Sequence, residues 1–199
     1  MADQARFDRI DVADLILRER LARDSKQWED MAACYHPQSV VEVSWFRGSG
    51  AEFVEMTQKA MRPGSLNFHI MTPPVVNVRK DRAISETPCI LRSFSMMDGV
   101  EISFEGFVRL FWRARREGDR WLIAGLRCLY LKDEIHGRNP NRQPVFDEEK
   151  LASYRDSYRF TSANLANLGI AVTDDLPGTD RPEMADALRT GEDAWLAQG

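Results

Sequence analysis

In this 199-residue chain, His69 is the side chain best suited to acid–base chemistry. It stands in the apolar setting Asn67-Phe68-His69-Ile70, and imidazole changes charge near neutral pH. Two readings are open: a core histidine satisfied by one backbone carbonyl, or a general base. A base needs a carboxylate to hold its tautomer and stabilise the imidazolium, and Asp24 is the candidate. On an ideal helix of about 100° per residue, Asp24 falls within about 60° of Ile10, Ala13, Leu17 and Leu21. It therefore continues the face that those residues are expected to bury, and a buried carboxylate needs a partner. The plainer alternative is that Asp24 caps the next helix.

Other chemistry is less supported. Arg127, between Leu126 and Cys128 in an apolar strand, could neutralise a developing anion or form a structural ion pair. Arg92 carries the same ambiguity. Trp28, Tyr35, Trp45, Trp112 and Tyr130 could line an apolar pocket or simply fill core. His36, His69 and His136 are far apart, with no second His or Cys at metal-ligand spacing, so no metal is expected. Arg47-Gly48-Ser49-Gly50 lacks the strand–helix context of a phosphate cradle. Ser and Cys nucleophile signatures are missing, which leaves acid–base chemistry without a cofactor, or binding.

The elements that must position these residues follow from periodicity. Residues 8–23 predict an amphipathic helix, and a short second helix carries Trp28 and Met31 before His36-Pro37 breaks it. Val40 to Phe46 is a strand, Gly48 to Gly50 a turn, and Ala51 to Met61 helical. From residue 65 the period becomes two, with strands at 75–78, 83–94, 100–115 and 120–131 joined by hairpin turns at Lys80-Asp81, Asp98-Gly99 and Gly118-Asp119. A polar loop at 136–146 precedes helices at about 148–168 and 181–197. Helices first, an antiparallel sheet second and two helices last make an α+β chain. We divide it into a core, 1–133, and an extension, 134–199, expected to cover a pocket mouth or a subunit interface.

A net charge of −4 gives no footprint for nucleic acid or an anionic membrane. The densest basic run, Arg113, Arg115, Arg116 and Arg120, contains Glu117 and Asp119 and reads as a solvated hairpin tip. No apolar run approaches the ~18 residues needed to span a bilayer. Three scattered cysteines and a charged N-terminus make a reducing cytoplasm the expected location.

Asp24 at the end of a first helix, His69 just before the sheet and the late strand Trp121-Leu122-Ile123 resemble the SnoaL-like branch of the nuclear transport factor two-like superfamily. Asp11 to Trp28 is similar to that family's opening. His69-Ile70-Met71-Thr72 with Lys80-Asp81-Arg82-Ala83 is similar to its centre, and Gly118-Asp119-Arg120-Trp121 to its last hairpin. The resemblance covers roughly residues 7–133. It implies a cone: a strongly bent antiparallel sheet around a deep apolar pocket, closed by the N-terminal helices. Members include polyketide cyclases, scytalone dehydratase, bile-acid dehydratase, hexachlorocyclohexane dehydrochlorinase and a diarylpropane lyase acting on lignin-derived dimers. Many need no cofactor, and several use a His–Asp pair as base, at positions matched here by His69 and Asp24. Two departures stand out. Glu19 replaces the Tyr or Lys found five residues before the aspartate, about 140° away from Asp24 on the wheel. Arg127 falls one residue off the arginine of the dehydrochlorinase type, so that a bulge absorbs the offset or the side chain faces the other way.

The resemblance therefore implies a cofactor-independent lyase in aromatic compound catabolism. His69 and Asp24 would abstract a proton from a hydrophobic, aromatic or polycyclic substrate, with loss of water, halide or a one-carbon fragment such as formaldehyde. Arg127 or Tyr130 would stabilise the departing charge, and Trp28, Tyr35, Trp45, Arg92 and Trp112 would contact substrate. An isomerase or cyclase, or a non-catalytic binding or assembly module, are the alternatives on this scaffold. A homo-oligomer, dimer or trimer, is expected.

Overall fold

Positive φ angles at Asp98 (47°) and Gly99 (75°) close a tight hairpin between β5 (Arg82–Met97) and β6 (Val100–Glu117), the backbone handedness that matches strand twist. Gly118-Asp119 then links β6 to β7 (Arg120–Gly137). These three strands are the centre of a seven-stranded sheet in a computed structural model that describes residues 2–61, 66–170 and 172–199. With β1 (Tyr35–Val43), β2 (Phe46–Ser49) and β3 (Leu66–Met71), the order is β2-β1-β7-β6-β5-β3, and β4 (Val75–Arg79) also pairs with β5. The β1–β7 pair is parallel, and the others are antiparallel. Pro88 of β5 lacks an N–H where β3 has ended and β4 has not begun, and there its carbonyl accepts from the Thr72 amide.

Several local readings change. His36-Pro37 does not end an element but lies inside β1, where the register against β7 shifts between Tyr35 and Val40. His69 lies inside β3, not ahead of the sheet. Phe46 to Ser49 form β2, and Ser49 with Glu52 makes a capping box for α3 (Gly50–Ala60).

The two faces of the sheet have different companions. On the concave face, Trp112, Leu126, Cys128 and Tyr130 pack with Val12 and Ile16 of α1 (Ala2–Asp24) and with Phe53 of α3, while α2 (Trp28–Ala33) adds Met31. On the convex face, Phe111 and Leu129 pack with Ala185 and Leu188 of α6 (Pro182–Ala197). The chain is thus an α+β cone whose curved sheet carries helices on both sides.

The expected helix at 148–168 is three pieces: α4 (Glu148–Ser153), a 3₁₀ turn (Asp156–Tyr158) and α5 (Arg159–Asn167). Arg155 is extended between them and donates to the carbonyls of Asp174 (2.9 Å) and Leu176 (2.6 Å), contacts a continuous helix would forbid. The break delivers Tyr158 into the concave core, 1% exposed, its ring 5.2 Å from that of Tyr130. Asp133 of β7 accepts from the first amides of α5, at Phe160 (3.0 Å) and Thr161 (2.5 Å). A boundary at 133/134 therefore cuts through β7, and the extension shares the core. Tyr158→Ala should cost about 3–5 kcal/mol, the usual loss for a large buried ring. Urea unfolding measures it, and a loss below about 1 kcal/mol would show that the extension is not part of the cooperative unit.

Candidate active site

The inward face of α1 is charged. Asp8, Val12, Ile16, Glu19, Arg20 and Arg23 are buried, whereas Ile10, Leu17 and Leu21 are exposed, at 53%, 40% and 64%. The apolar stripe expected to face the core is thus turned to the surface. The reason is pairing: each buried charge meets an opposite charge or a donor. Asp8 accepts from Arg116 and from Trp121 Nε1 (3.4 Å), which ties the start of α1 to the far end of β6 and β7. Glu19 takes Arg20 Nε (2.5 Å) and Nη2 (2.6 Å) and also accepts from the Tyr35 hydroxyl (2.8 Å). Gly50 supports this Tyr35, since a Cβ there would meet the tyrosine ring at 2.5 Å.

Asp24 ends the helix and bridges to β3. Its Oδ2 accepts from the His69 backbone N–H (2.6 Å), and its Oδ1 lies 2.9 Å from His69 Nδ1. Two contacts from one carboxylate fix both the strand and the ring. They place the imidazole proton on Nδ1 and leave Nε2 as the acceptor, which takes a long hydrogen bond from Arg20. Arg20 Nη1 lies 3.4 Å from that nitrogen, and Arg23 Nη1 lies 2.8 Å from Asp24 and 3.4 Å from His69 Nδ1.

Burial, and then the positive charges of Arg23 and Arg20, push the His69 pKa down to about 3 against the pull of Asp24. The imidazole is neutral at rest. Burial acts to raise Asp24, but its bonds to His69 and the charge of Arg23 prevail and hold it below the usual carboxylate range. Burial and the neighbouring Glu19 keep Tyr35 protonated far above its ordinary range. The cluster balances: two guanidinium groups, two carboxylates and a neutral ring.

The remaining expected site residues divide between the faces. Trp112 is fully buried under Arg20, whose guanidinium lies 5.3 Å from its ring. Tyr130 is buried and accepts from the Ser44 amide (2.7 Å). Trp28 and Trp45 are partly buried against the same core. Arg92 lies opposite Phe68, one position out of phase with His69, and pairs with Glu105 (2.9 Å) and Ser103 (2.8 Å). Arg127 is also turned away and bonds to Glu42 (2.9 Å). The cause is a β-bulge: Arg113 pairs with Gly125 but Ala114 pairs with Ile123, so Ala124 is an extra residue. Ile123 and Leu126 point inward, and Arg127 points outward. The basic run is no mere solvated tip either, since Arg113 pairs with Glu192 (2.7 Å) and Arg116 with Asp8.

Arg20 and Arg23 were not among the expected site residues, and Glu19, placed away from Asp24 by the helical wheel, is nevertheless buried beside them. Their signal was present: Asp8, Val12, Ile16, Glu19 or Arg20, and Arg23 also recur at three- and four-residue steps. Cys34 and Cys89 are buried, with thiols pushed up to about 11 and about 12, which suits packing and not nucleophilic attack. Among the described residues, no three His, Cys, Asp or Glu side chains gather to hold a metal ion. No helix among them is long and apolar enough to cross a membrane.

The curved sheet, the helices that close it and the buried pair at its edge define a protein of the nuclear transport factor two-like superfamily. Within it, the chain belongs to the SnoaL-like domain family, matched over residues 5–127. A PEP2-like protein of Fusarium vanettenii is 29% identical over 95% of this chain and 88% of its own length. Pea pathogenicity protein 2 of the same organism is 25% identical over 98% and 86%. Among solved structures, a type 2 hexachlorocyclohexane dehydrochlorinase covers 63% of this chain and 87% of its own, with a TM-score of 0.56 at 15% identity. A function-unknown protein from Mycobacterium tuberculosis covers 83% and 98%, with a TM-score of 0.51 at 14% identity. These structures share the fold.

The depressed His69 pKa has a consequence for stability. An unfolded chain protonates its histidine near pH 6.5, whereas the folded one resists until about pH 3. The unfolded state therefore binds more protons in that window, and stability falls as pH drops through it. Denaturant melts from pH 7 to 3.5 should show a steeper loss for the wild type than for His69→Gln, which lacks the titrating ring. Parallel curves would contradict the buried, neutral imidazole.

Proposed function

We propose that this protein is a cofactor-independent lyase acting on a small hydrophobic, aromatic or polycyclic substrate. The observation that carries the reading is the double contact of Asp24 with the ring and backbone of His69 on the concave face of the sheet. His69 Nε2 takes a proton from a substrate carbon, and the C–H electron pair becomes the new π bond. The leaving group departs with its own bonding pair, as halide or, after protonation, as water. Asp24 stabilises the imidazolium that forms.

The two arginines make this base selective. Their positive charge disfavours the imidazolium at rest, and a negative charge developing beside Arg20 or Arg23 removes that penalty. Proton abstraction is then favoured only as an anion forms in the same site, which is electrostatic complementarity to a transition state. Arg20 and Arg23 thus take the role expected of Arg127, whose guanidinium is across the sheet. Trp112 and Tyr130, expected to contact substrate, are instead closed into the core, Trp112 under Arg20 and Tyr130 against Tyr158. Loss of chloride from a ring by the dehydrochlorinase that shares this fold is one instance of such chemistry. The expected homo-oligomer finds support in the exposed stripe Phe7, Ile10, Leu17 and Leu21.

The test is a panel of chlorinated cyclohexanes, lignin-type aryl dimers, steroids and polyketide-like compounds, read by product mass. Loss of a defined fragment marks a lyase, and unchanged mass marks an isomerase or cyclase. On a substrate that turns over, His69→Ala and Asp24→Asn should each lower kcat/KM by about 10²–10⁴. Turnover near wild type in both variants would end the proposal.

A further inference from the structure

Arg82 and Arg115 stand directly opposite each other across β5 and β6. Opposed side chains on an antiparallel pair have Cβ atoms about 4.5–5.5 Å apart, and like charges there are destabilising. Both line a cavity of about 230 Å³ between the convex face of the sheet and α6, together with Arg113, Arg127, Glu192 and Trp195.

Glu192 is the one carboxylate among the residues lining this cavity. It is buried and bonded to Arg113 (2.7 Å), with Arg127 at 3.7 Å, and Arg127 has Glu42 as a second partner (2.9 Å). Those two arginines are therefore matched by two carboxylates. The opposed pair is not. Arg82 donates to neutral acceptors, the Trp195 carbonyl (2.8 Å) and Gln198 Oε1 (3.1 Å), and lies over the Trp195 ring at 4.8 Å. Arg115 is half-buried, and its guanidinium has no hydrogen-bond or ion-pair partner among the described residues.

We infer that this cavity binds a small oxyanion, inorganic phosphate or the phosphate or carboxylate end of a small metabolite, held between Arg82 and Arg115. An oxyanion accepts from two guanidinium forks at once and turns their repulsion into attraction. The cavity is smaller than the roughly 300 Å³ at which drug-sized pockets begin, which suits a compact anion with Trp195 as its apolar wall. The site is separate from His69, which belongs to the concave face, with the sheet between them.

The experiment is thermal melting of the full chain with sodium phosphate, sodium acetate or sodium chloride at equal ionic strength. Phosphate or acetate, whichever end group fits, should raise Tm progressively with concentration, as expected when a ligand binds only the folded state. Chloride should not. Arg115→Ala should weaken the effective anion at least tenfold, and without anion should melt at or above wild type, because it removes repulsion and breaks no bond. His69→Ala should respond to the anion as wild type does, so this result stands apart from the fate of the lyase reading. Arg82→Gln serves as a second variant, with α6 helicity checked because Arg82 holds the end of that helix. If neither anion exceeds chloride, or Arg115→Ala responds as fully as wild type, the inference is overturned.

Discussion

Charge balance in the concave core is the constraint from which the rest of the structure follows. Arg20 and Arg23 are both within the interior, at 4% and 6% exposure, and an uncompensated buried charge costs several kcal/mol. Glu19 answers the first and Asp24 the second. Burial and the charges of Arg23 and Arg20 outweigh the pull of Asp24, and His69 is neutral at rest. The rotation of α1, the position of β3 and the protonation state of the candidate base are one solution to one electrostatic requirement.

The same helix is pinned at both ends by acids. Asp8 meets Arg116 and Trp121 at the hairpin end of the sheet, and Asp24 meets β3 at the opposite edge. Hydrogen bonds to charged groups have fixed directions, and a buried charge left without its partner costs several kcal/mol, so these pairs, with Val12 and Ile16 beside them, set the orientation that leaves Ile10, Leu17 and Leu21 exposed. The C-terminal extension works on both sides of the sheet. Tyr158 and Leu176 complete the concave core, while Ala185 and Leu188 cover the convex face. Two chemically different environments result: a balanced, buried charge cluster within, and an arginine-rich cavity behind.

Much of this was legible in the residues. Alternation along Ile102, Phe104, Val108, Leu110 and Trp112, and the turn residues between strands, specify the central hairpins because strand periodicity and turn chemistry are local. Asp24 and His69 could be picked out as a pair because few other residues in the chain had chemistry to offer.

What the residues alone determined was the first helix, the central hairpins and the candidate dyad; what the tertiary structure decided was the edge strands, the break at Arg155 and which way side chains face. Two amphipathic stripes coexist on α1, and only the partners waiting on β3, β6 and β1 choose the charged one. A single extra residue at Ala124 reverses the parity of β7 and carries Arg127 from the pocket side to the convex side. Opposed Arg82 and Arg115 become neighbours only through β5–β6 register. Orientation of this kind depends on contacts between segments far apart in the chain, and local periodicity carries no record of them.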